Sequence, residues 1–196
     1  MSCLRRLNCP VFNAERLQSV PEKDEYTVEI GGNTPMKGKY PLKELLSNFK
    51  YRTIESRLTS VSGWSIRCDW QGIPWKDFID WAKPGDYSYV YFESYGSYVT
   101  AVERKHMDNP RILLATHVDG DEIEFEYGGP FRSIIPNLWG YKSCKWIKHI
   151  HFLDEHIRGY WESAGYPEEG LIEPGFTMDV NTGQRRKING GEVTEF

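Results

Sequence analysis

Gly128-Gly129-Pro130-Phe131-Arg132-Ser133-Ile134-Ile135-Pro136, followed by Gly140-Tyr141-Lys142-Ser143-Cys144-Lys145-Trp146, carries the densest chemistry of this 196-residue chain. It falls in a run, residues 127–145, rich in glycine, proline and aromatics and with little periodicity. Long irregular stretches inside compact domains are usually functional loops. Glycine lets backbone approach a ligand closely and admits positive φ. Arg132 offers a planar fork of donors and Lys145 a point charge, and turn N–H groups can complete a nest for an anion. Two readings follow: a loop for an anionic ligand, or a surface loop with ordinary solvated cations.

Outward from this loop the chain alternates between short strands and short helices. Trp146 to Leu153 alternates as a half-buried strand should, and places His149 and His151 on one face, where a satisfied structural role is expected ahead of ligation. Upstream, Ile112 to Val118 is apolar and Asp119-Gly120-Asp121 reads as a hairpin turn. Tyr87 to Thr100 is strongly β, with a turn near Ser94-Tyr95-Gly96-Ser97, and 102–109 reads as helical or irregular. Ile73 to Ala82 predicts a helix with Ile73, Phe78 and Trp81 near one face, stopped by Pro84-Gly85. Tyr51 to Trp70 reads as strands interrupted by Gly63; Pro41 opens a short helix through Leu42, Leu45 and Leu46; Tyr26 to Ile30 alternates as a strand. The mixture predicts an α+β fold, mainly mixed β-sheet with short helices. Residues 1–25 form an arm, 26–169 the domain, and 170–196 a tail packed on it. In that tail Asp179 to Gly183 makes a hairpin-like turn, and Arg185-Arg186-Lys187 reads as a solvated turn.

The net charge of −4 gives no reason to expect nucleic acid or an anionic membrane surface as partner. No stretch approaches the roughly 20 apolar residues that span a bilayer. Arg5-Arg6 precedes too short and broken an apolar run to be an export signal, so a cytoplasmic location is expected. Cys3, Cys9, Cys68 and Cys144 form no C-x-x-C pair and no zinc pattern, and free thiols are expected of all four.

The quoted loop, in order and spacing, resembles the "G-x-P-x-R…VP…GYKSxKW" run of the sulfite oxidase and methionine-sulfoxide-reductase catalytic subunit family. Gly159-Tyr160-Trp161-Glu162-Ser163-Ala164-Gly165-Tyr166 is similar to its "GYWExxGY" signature. Ser62-Gly63-Trp64-Ser65 with Trp70-Gln71-Gly72-Ile73-Pro74 resembles its "GWS…W-x-Gvp" stretch, and Leu113-Leu114-Ala115 with Asp119-Gly120 its "LLA…dG". Pro10-Val11-Phe12-Asn13-Ala14-Glu15 is similar to its "PFNAE" arm.

The resemblance implies molybdopterin as cofactor, with molybdenum held by the dithiolene of one pyranopterin and by a protein thiolate. It implies two-electron chemistry, commonly oxygen-atom transfer, on a small-molecule substrate, with the protein supplying binding and electrostatics. Carried over by position, Arg132 and Lys145 meet the pterin and phosphate end, the Ser143 and Cys144 backbone helps hold it, and Thr100 matches a cofactor-contacting threonine. The strand that reads "HCVTGWS" in relatives is Thr59-Ser60-Val61-Ser62-Gly63-Trp64-Ser65 here, so Ser60 takes the metal position. Ser60 either binds the metal through oxygen or fills the cysteine's volume in a catalytically inactive domain that binds a pterin or other anionic ligand without molybdenum, or acts as an interaction protein. Cys68, about 26 Å away along an extended chain, and Cys144 are expected as core or surface thiols. The family's "FYVRNH" stretch is absent, which removes several pterin contacts. Arg57 and Arg67 are the only arginines near Ser60 and are not evidently aimed at one site, so sulfite is a weak candidate substrate. No haem-binding segment is seen, so a separate electron-transfer partner is expected. The residues after Tyr166 are too few for a dimerisation domain of the immunoglobulin kind.

Overall fold

The computed structural model describes residues 1–15 and 17–190. In chain order the elements are α1 (Cys3–Arg6), β1 (Thr27–Gly32), β2 (Gly38–Pro41), α2 (Leu42–Ser47), β3 (Arg52–Ser60), β4 (Trp64–Pro74), α3 (Trp75–Ala82), β5 (Tyr89–Ser94), β6 (Val99–Glu103), β7 (Leu113–Val118), β8 (Asp121–Glu122), β9 (Arg132–Ile134), β10 (Ile147–Leu153), α4 (Tyr160–Ser163), β11 (Gly175–Asp179) and β12 (Gln184–Ile188). Two sheets result. The first runs β2-β1-β10-β5-β6, with β1 and β10 parallel and the other pairs antiparallel. The second runs β12-β11-β4-β7-β8, with β3 also on β4 and β9 also on β7. The α+β architecture with mixed sheets and short helices matches the expectation from patterning.

Alternation decides what each sheet buries. Val28 and Ile30 in β1, Val90 and Phe92 in β5, and Ile150 and Phe152 in β10 all enter the larger core. Leu42, Leu45, Trp75 and Phe78 from α2 and α3 close over them. Each such side chain contributes roughly 1.5–3 kcal/mol by leaving water. A second core holds Leu58, Ile66, Trp70, Leu113 and Ile134 of the other sheet, and Leu4 of the arm packs into it. No helix among the described residues is long and apolar enough to cross a membrane.

Three sequence expectations are corrected. The helix predicted from Ile73 starts at Trp75, because Ile73 and Pro74 pair with Leu114 and Leu113 in the sheet. Arg185, Arg186 and Lys187 are not a solvated turn: they lie in β12, which extends the second sheet through β11. The third concerns the thiols. The arm lays α1 against β4, and Cys3 and Cys68 are joined as a disulfide across a Cα separation of 7.0 Å, while Cys9 and Cys144 stay free and buried. Of the tail, residues 191–196 lie outside the described residues.

The β3–β4 hairpin also alters the estimate for Cys68. The chain reverses at 61–63, and Cys68 lies opposite Ser56. It is thus about 13 Å along the strand from Ser60, roughly half the extended estimate, and committed to Cys3.

Candidate functional site

Ser60 ends β3, and the tight turn after it is closed by Ser62, whose N–H donates to Ser60 Oγ at 3.1 Å. That turn projects Ser60, Val61 and Ser62 into a cavity of about 120 Å³. Arg132, at the start of β9, enters the same cavity, as do Ser143 and Lys145 from the loop before β10. Four segments distant in sequence thus meet: the β3–β4 turn, β9, the 140–145 loop and the arm, which contributes Leu4, Cys9, Pro10 and Phe12. Trp161 and Tyr166 complete the wall beside α4.

Arg132 is 3% exposed. Its Nη1 donates to Tyr127 O at 2.6 Å and its Nε to Ser133 O at 3.4 Å, with the guanidinium over the Trp70 ring. Among the described residues Nη2 has no hydrogen-bond acceptor. Burial lowers its pKa to about 10, which leaves the side chain charged at neutral pH.

Lys145 is fastened to the arm: Nζ donates to Phe12 O and Asn13 Oδ1, both at 2.8 Å, and to Glu126 O at 3.3 Å. These acceptors are uncharged. Burial first, and the neighbouring Arg132 second, lower its pKa to about 7. Gly128 makes this placement possible. Its φ of +99° suits glycine, and a Cβ there would meet the Lys145 side chain at 2.7 Å. Cys9, beside the two cations, has its thiol raised to about 11 by burial, against the pull of Arg132 and Lys145.

The expected site residues do not all converge. Ser60, Arg132, Ser143 and Lys145 share the cavity. Thr100 does not line it: fully buried in β6, it hydrogen-bonds Glu162 Oε1 at 3.2 Å. The Cys144 side chain also lies away from the cavity, since strand-like alternation after Ser143 turns it into the larger core. Its backbone N–H donates to Ser133 Oγ at 2.8 Å, tying the loop to β9, and Ser143 Oγ accepts from Ile135 N at 3.0 Å. Arg57 is not available to an anion, because it pairs with Asp179 of β11 at 2.8 Å, both side chains buried.

Sequence reasoning missed Cys9, Trp161 and Tyr166 as cavity residues and the ion pair Lys142–Glu162 behind it. That pair joins the two most aromatic motifs, and its side chains are 0% and 1% exposed. Lys142 Nζ also donates to Ala101 O at 2.9 Å. The only signal was a charge inside each quoted motif.

The donor set suits an anionic, phosphate-bearing cofactor: two cations at a buried wall, one with an unused N–H fork edge, and serine hydroxyls. The space is tighter than the donors suggest, since sites that bury ligands of drug size measure roughly 300–1,000 Å³. Leu4, Cys9, Pro10 and Phe12 of the arm are what close the cleft down.

The chain is 26% identical over 180 residues to the catalytic subunit of a protein-methionine-sulfoxide reductase from Pseudomonas syringae pv. tomato, covering 83% of this chain and 52% of the relative. It is 33% identical over 113 residues to an uncharacterised oxidoreductase of Bacillus subtilis, covering 56% of this chain and 57% of that one. The chain therefore spans about half the length of the curated relatives it matches. The sulfane dehydrogenase SoxCD from Paracoccus pantotrophus shares the fold, with a TM-score of 0.64 at 16% identity over 87% of this chain and 46% of that one. The model of the oxidoreductase molybdopterin-binding domain matches residues 17–161, from the end of the arm through Trp161 of the cavity wall, and the chain belongs to that family.

Proposed function

We propose that this protein is a molybdopterin-dependent oxidoreductase for a small substrate, with Ser60 facing the metal. The observation that carries the proposal is the meeting of Ser60, Arg132, Ser143 and Lys145 in one cavity. When bound, the cofactor supplies two-electron chemistry and oxygen-atom transfer. Arg132 holds the anionic end as a permanent cation, donating through the free edge of its guanidinium. Lys145, with a pKa of about 7, carries a proton at its ammonium that it can hold or give up near neutrality. Ser60 presents an oxygen donor, harder than thiolate sulfur, which would lower covalency at a metal bound there and shift its potential. Cys9, Pro10 and Phe12 of the arm, which wall the cavity, would have to move aside to admit the pterin and would then shield it from water.

The names of the relatives direct the substrate screen to sulfoxides. Reducing methionine sulfoxide consumes two electrons and two protons and yields methionine and water, so a separate electron donor is required.

A second reading rests on the same cavity: with Ser60 in place of a thiolate ligand and the arm down, the domain binds an anion without metal. Molybdenum and released pterin, measured on protein from a molybdate-supplied host that makes the cofactor, separate the two. Near-equimolar metal and pterin are expected. Pterin without metal supports the second reading, and neither, beside a loaded cysteine-containing relative, overturns the proposal.

A further inference from the structure

Alternation along β10 that sends Ile150 and Phe152 into the core sends His149 and His151 to the opposite face of the first sheet. Register then builds a row across three strands. His149 lies between Glu29 of β1 and Glu93 of β5, and His151 between Gly31 and Tyr91.

The row is electron-rich and incompletely bonded. His149 Nδ1 lies 3.0 Å from Glu93 Oε2, which also accepts from the Tyr91 hydroxyl at 3.0 Å. Burial raises the Glu93 carboxyl, and the bonds from His149 and Tyr91 more than offset it, so Glu93 is ionised at neutral pH. A carboxylate accepts hydrogen bonds, so Nδ1 is the nitrogen of His149 turned to Glu93, and Nε2 is the one left to the other side of the ring. That Nε2 faces Glu29 Oε2 at 3.6 Å, and His151 Nε2 faces Glu29 Oε1 at 3.6 Å, too far for hydrogen bonds. His151 Nε2 is buried with no hydrogen-bond partner. The two rings stack nearly parallel, centroids 5.2 Å apart at 15°. Gly31 holds the His151 ring flat on bare backbone, because a Cβ there would meet Nε2 and Cδ2 at 2.7 Å.

Two imidazole nitrogens and a carboxylate face one another at 3.6 Å, beyond hydrogen-bond distance, and together offer the donor types that hold a transition-metal ion. We propose that His149 Nε2, His151 Nε2 and the Glu29 carboxylate bind one divalent transition-metal ion of the zinc class, with Glu93 orienting His149 through Nδ1. Zinc takes imidazole nitrogen and carboxylate oxygen at about 2.0–2.2 Å. Each histidine Nε2 stands 3.6 Å from an oxygen of Glu29, but the three ligand atoms are not all within 4.8 Å of one another, so the rings must tip their Nε2 edges together to close on the ion. A fourth position stays open to solvent. The carboxylates of Glu103 and Glu169 near His106 differ: Lys105 lies between them at 2.7 and 2.6 Å and already supplies their cation.

The test is calorimetric titration of the chelator-stripped full chain with zinc chloride, with cobalt chloride as a visible probe. One saturable site is expected, with cobalt bands of low coordination number that zinc displaces. His149→Gln and His151→Gln should each abolish the transition while circular-dichroism melts stay cooperative. Glu93→Gln should weaken binding about 10–100-fold at unchanged stoichiometry. Gly31→Ala, which displaces the His151 ring without removing a ligand, should weaken it as well. Ser60→Ala should leave it unaltered. No saturable binding, binding retained by both histidine variants, or loss on Ser60→Ala overturns the proposal, and none of these outcomes bears on molybdopterin.

Discussion

Lys142 and Lys145 stand three residues apart in one loop and have opposite surroundings. Lys142 is fully buried, reaches the Glu162 carboxylate and the Ala101 carbonyl, and so has its charge answered inside the protein. Lys145 meets only uncharged oxygens, lies close enough to Arg132 to be repelled by it, and is pushed down to about 7. A cation compensated by a carboxylate holds structure together. One left with neutral acceptors beside a second cation costs stability and keeps a place for an anion. On this contrast the first lysine belongs to the fold and the second to the site.

The contrast breaks most plainly at Lys142. Replacing it with methionine strands the Glu162 carboxylate in the core, where Oε2 already lacks a partner. A loss of about 3–5 kcal/mol is expected from removing one member of a buried pair, read as a fall in urea midpoint with unchanged m. The double variant Lys142→Met, Glu162→Leu should recover much of it, since no lone charge remains. A loss under about 1 kcal/mol for Lys142→Met would mean the pair behaves like a surface pair, and the distinction between the two lysines would fall.

A smaller effect is expected at the root of the arm. The Cys3–Cys68 bond spans 65 residues of sequence, and closing a loop of that length stabilises by about 4 kcal/mol in the chain-entropy view. Cys3→Ser with Cys68→Ser should cost about 2–4 kcal/mol in urea unfolding. The same variant sharpens the comparison. With α1 loosened, solvent reaches Lys145 but not Lys142, so the Lys145 pKa should rise toward its ordinary value. The carbon-13 shift of the Lys145 Cε atom, followed across pH in parent and variant, would show the titration moving.

What patterning could and could not reveal follows the range of the interactions. Val28 and Ile30, Val90 and Phe92, and Ile150 and Phe152 show their sheet and its inner face by alternation alone. The helix at 75–82 was legible apart from its start, because pairing of Ile73 with Leu114 is a tertiary fact that propensity does not contain. Cys3 with Cys68, and Arg57 with Asp179, join segments whose approach depends on the whole second sheet. Nothing local marks them. The cavity was legible only through motif order, which brought Ser60, Arg132, Ser143 and Lys145 under suspicion together. Thr100 was drawn in by the same order, yet its hydroxyl is spent on Glu162. Position in a motif identifies a segment, whereas the direction of a side chain depends on strand parity and on which buried polar group claims it first.

The change that most directly tests the second half of the contrast is at Lys145 itself. The native pKa of about 7 lies below the unfolded lysine value. Between these two values the unfolded chain binds a proton that the folded chain does not, so stability rises with pH through that window. Below about pH 7 both states are protonated and the full cost of burying the ammonium is present. Lys145→Met removes this dependence. From about pH 7 upward the variant should lose ground to the parent by up to about 1.4 kcal/mol per pH unit, until the unfolded lysine value is reached. At pH 6 it should be the more stable protein. Pterin retention should fall in the same variant, because the cation that weakened the empty fold is the one that answers the anion. Urea unfolding of both proteins at several pH values from 6 to 9 gives the crossing or its absence. Parallel curves would mean that Lys145 is charged and well solvated throughout, and would return it to the class of ordinary surface lysines.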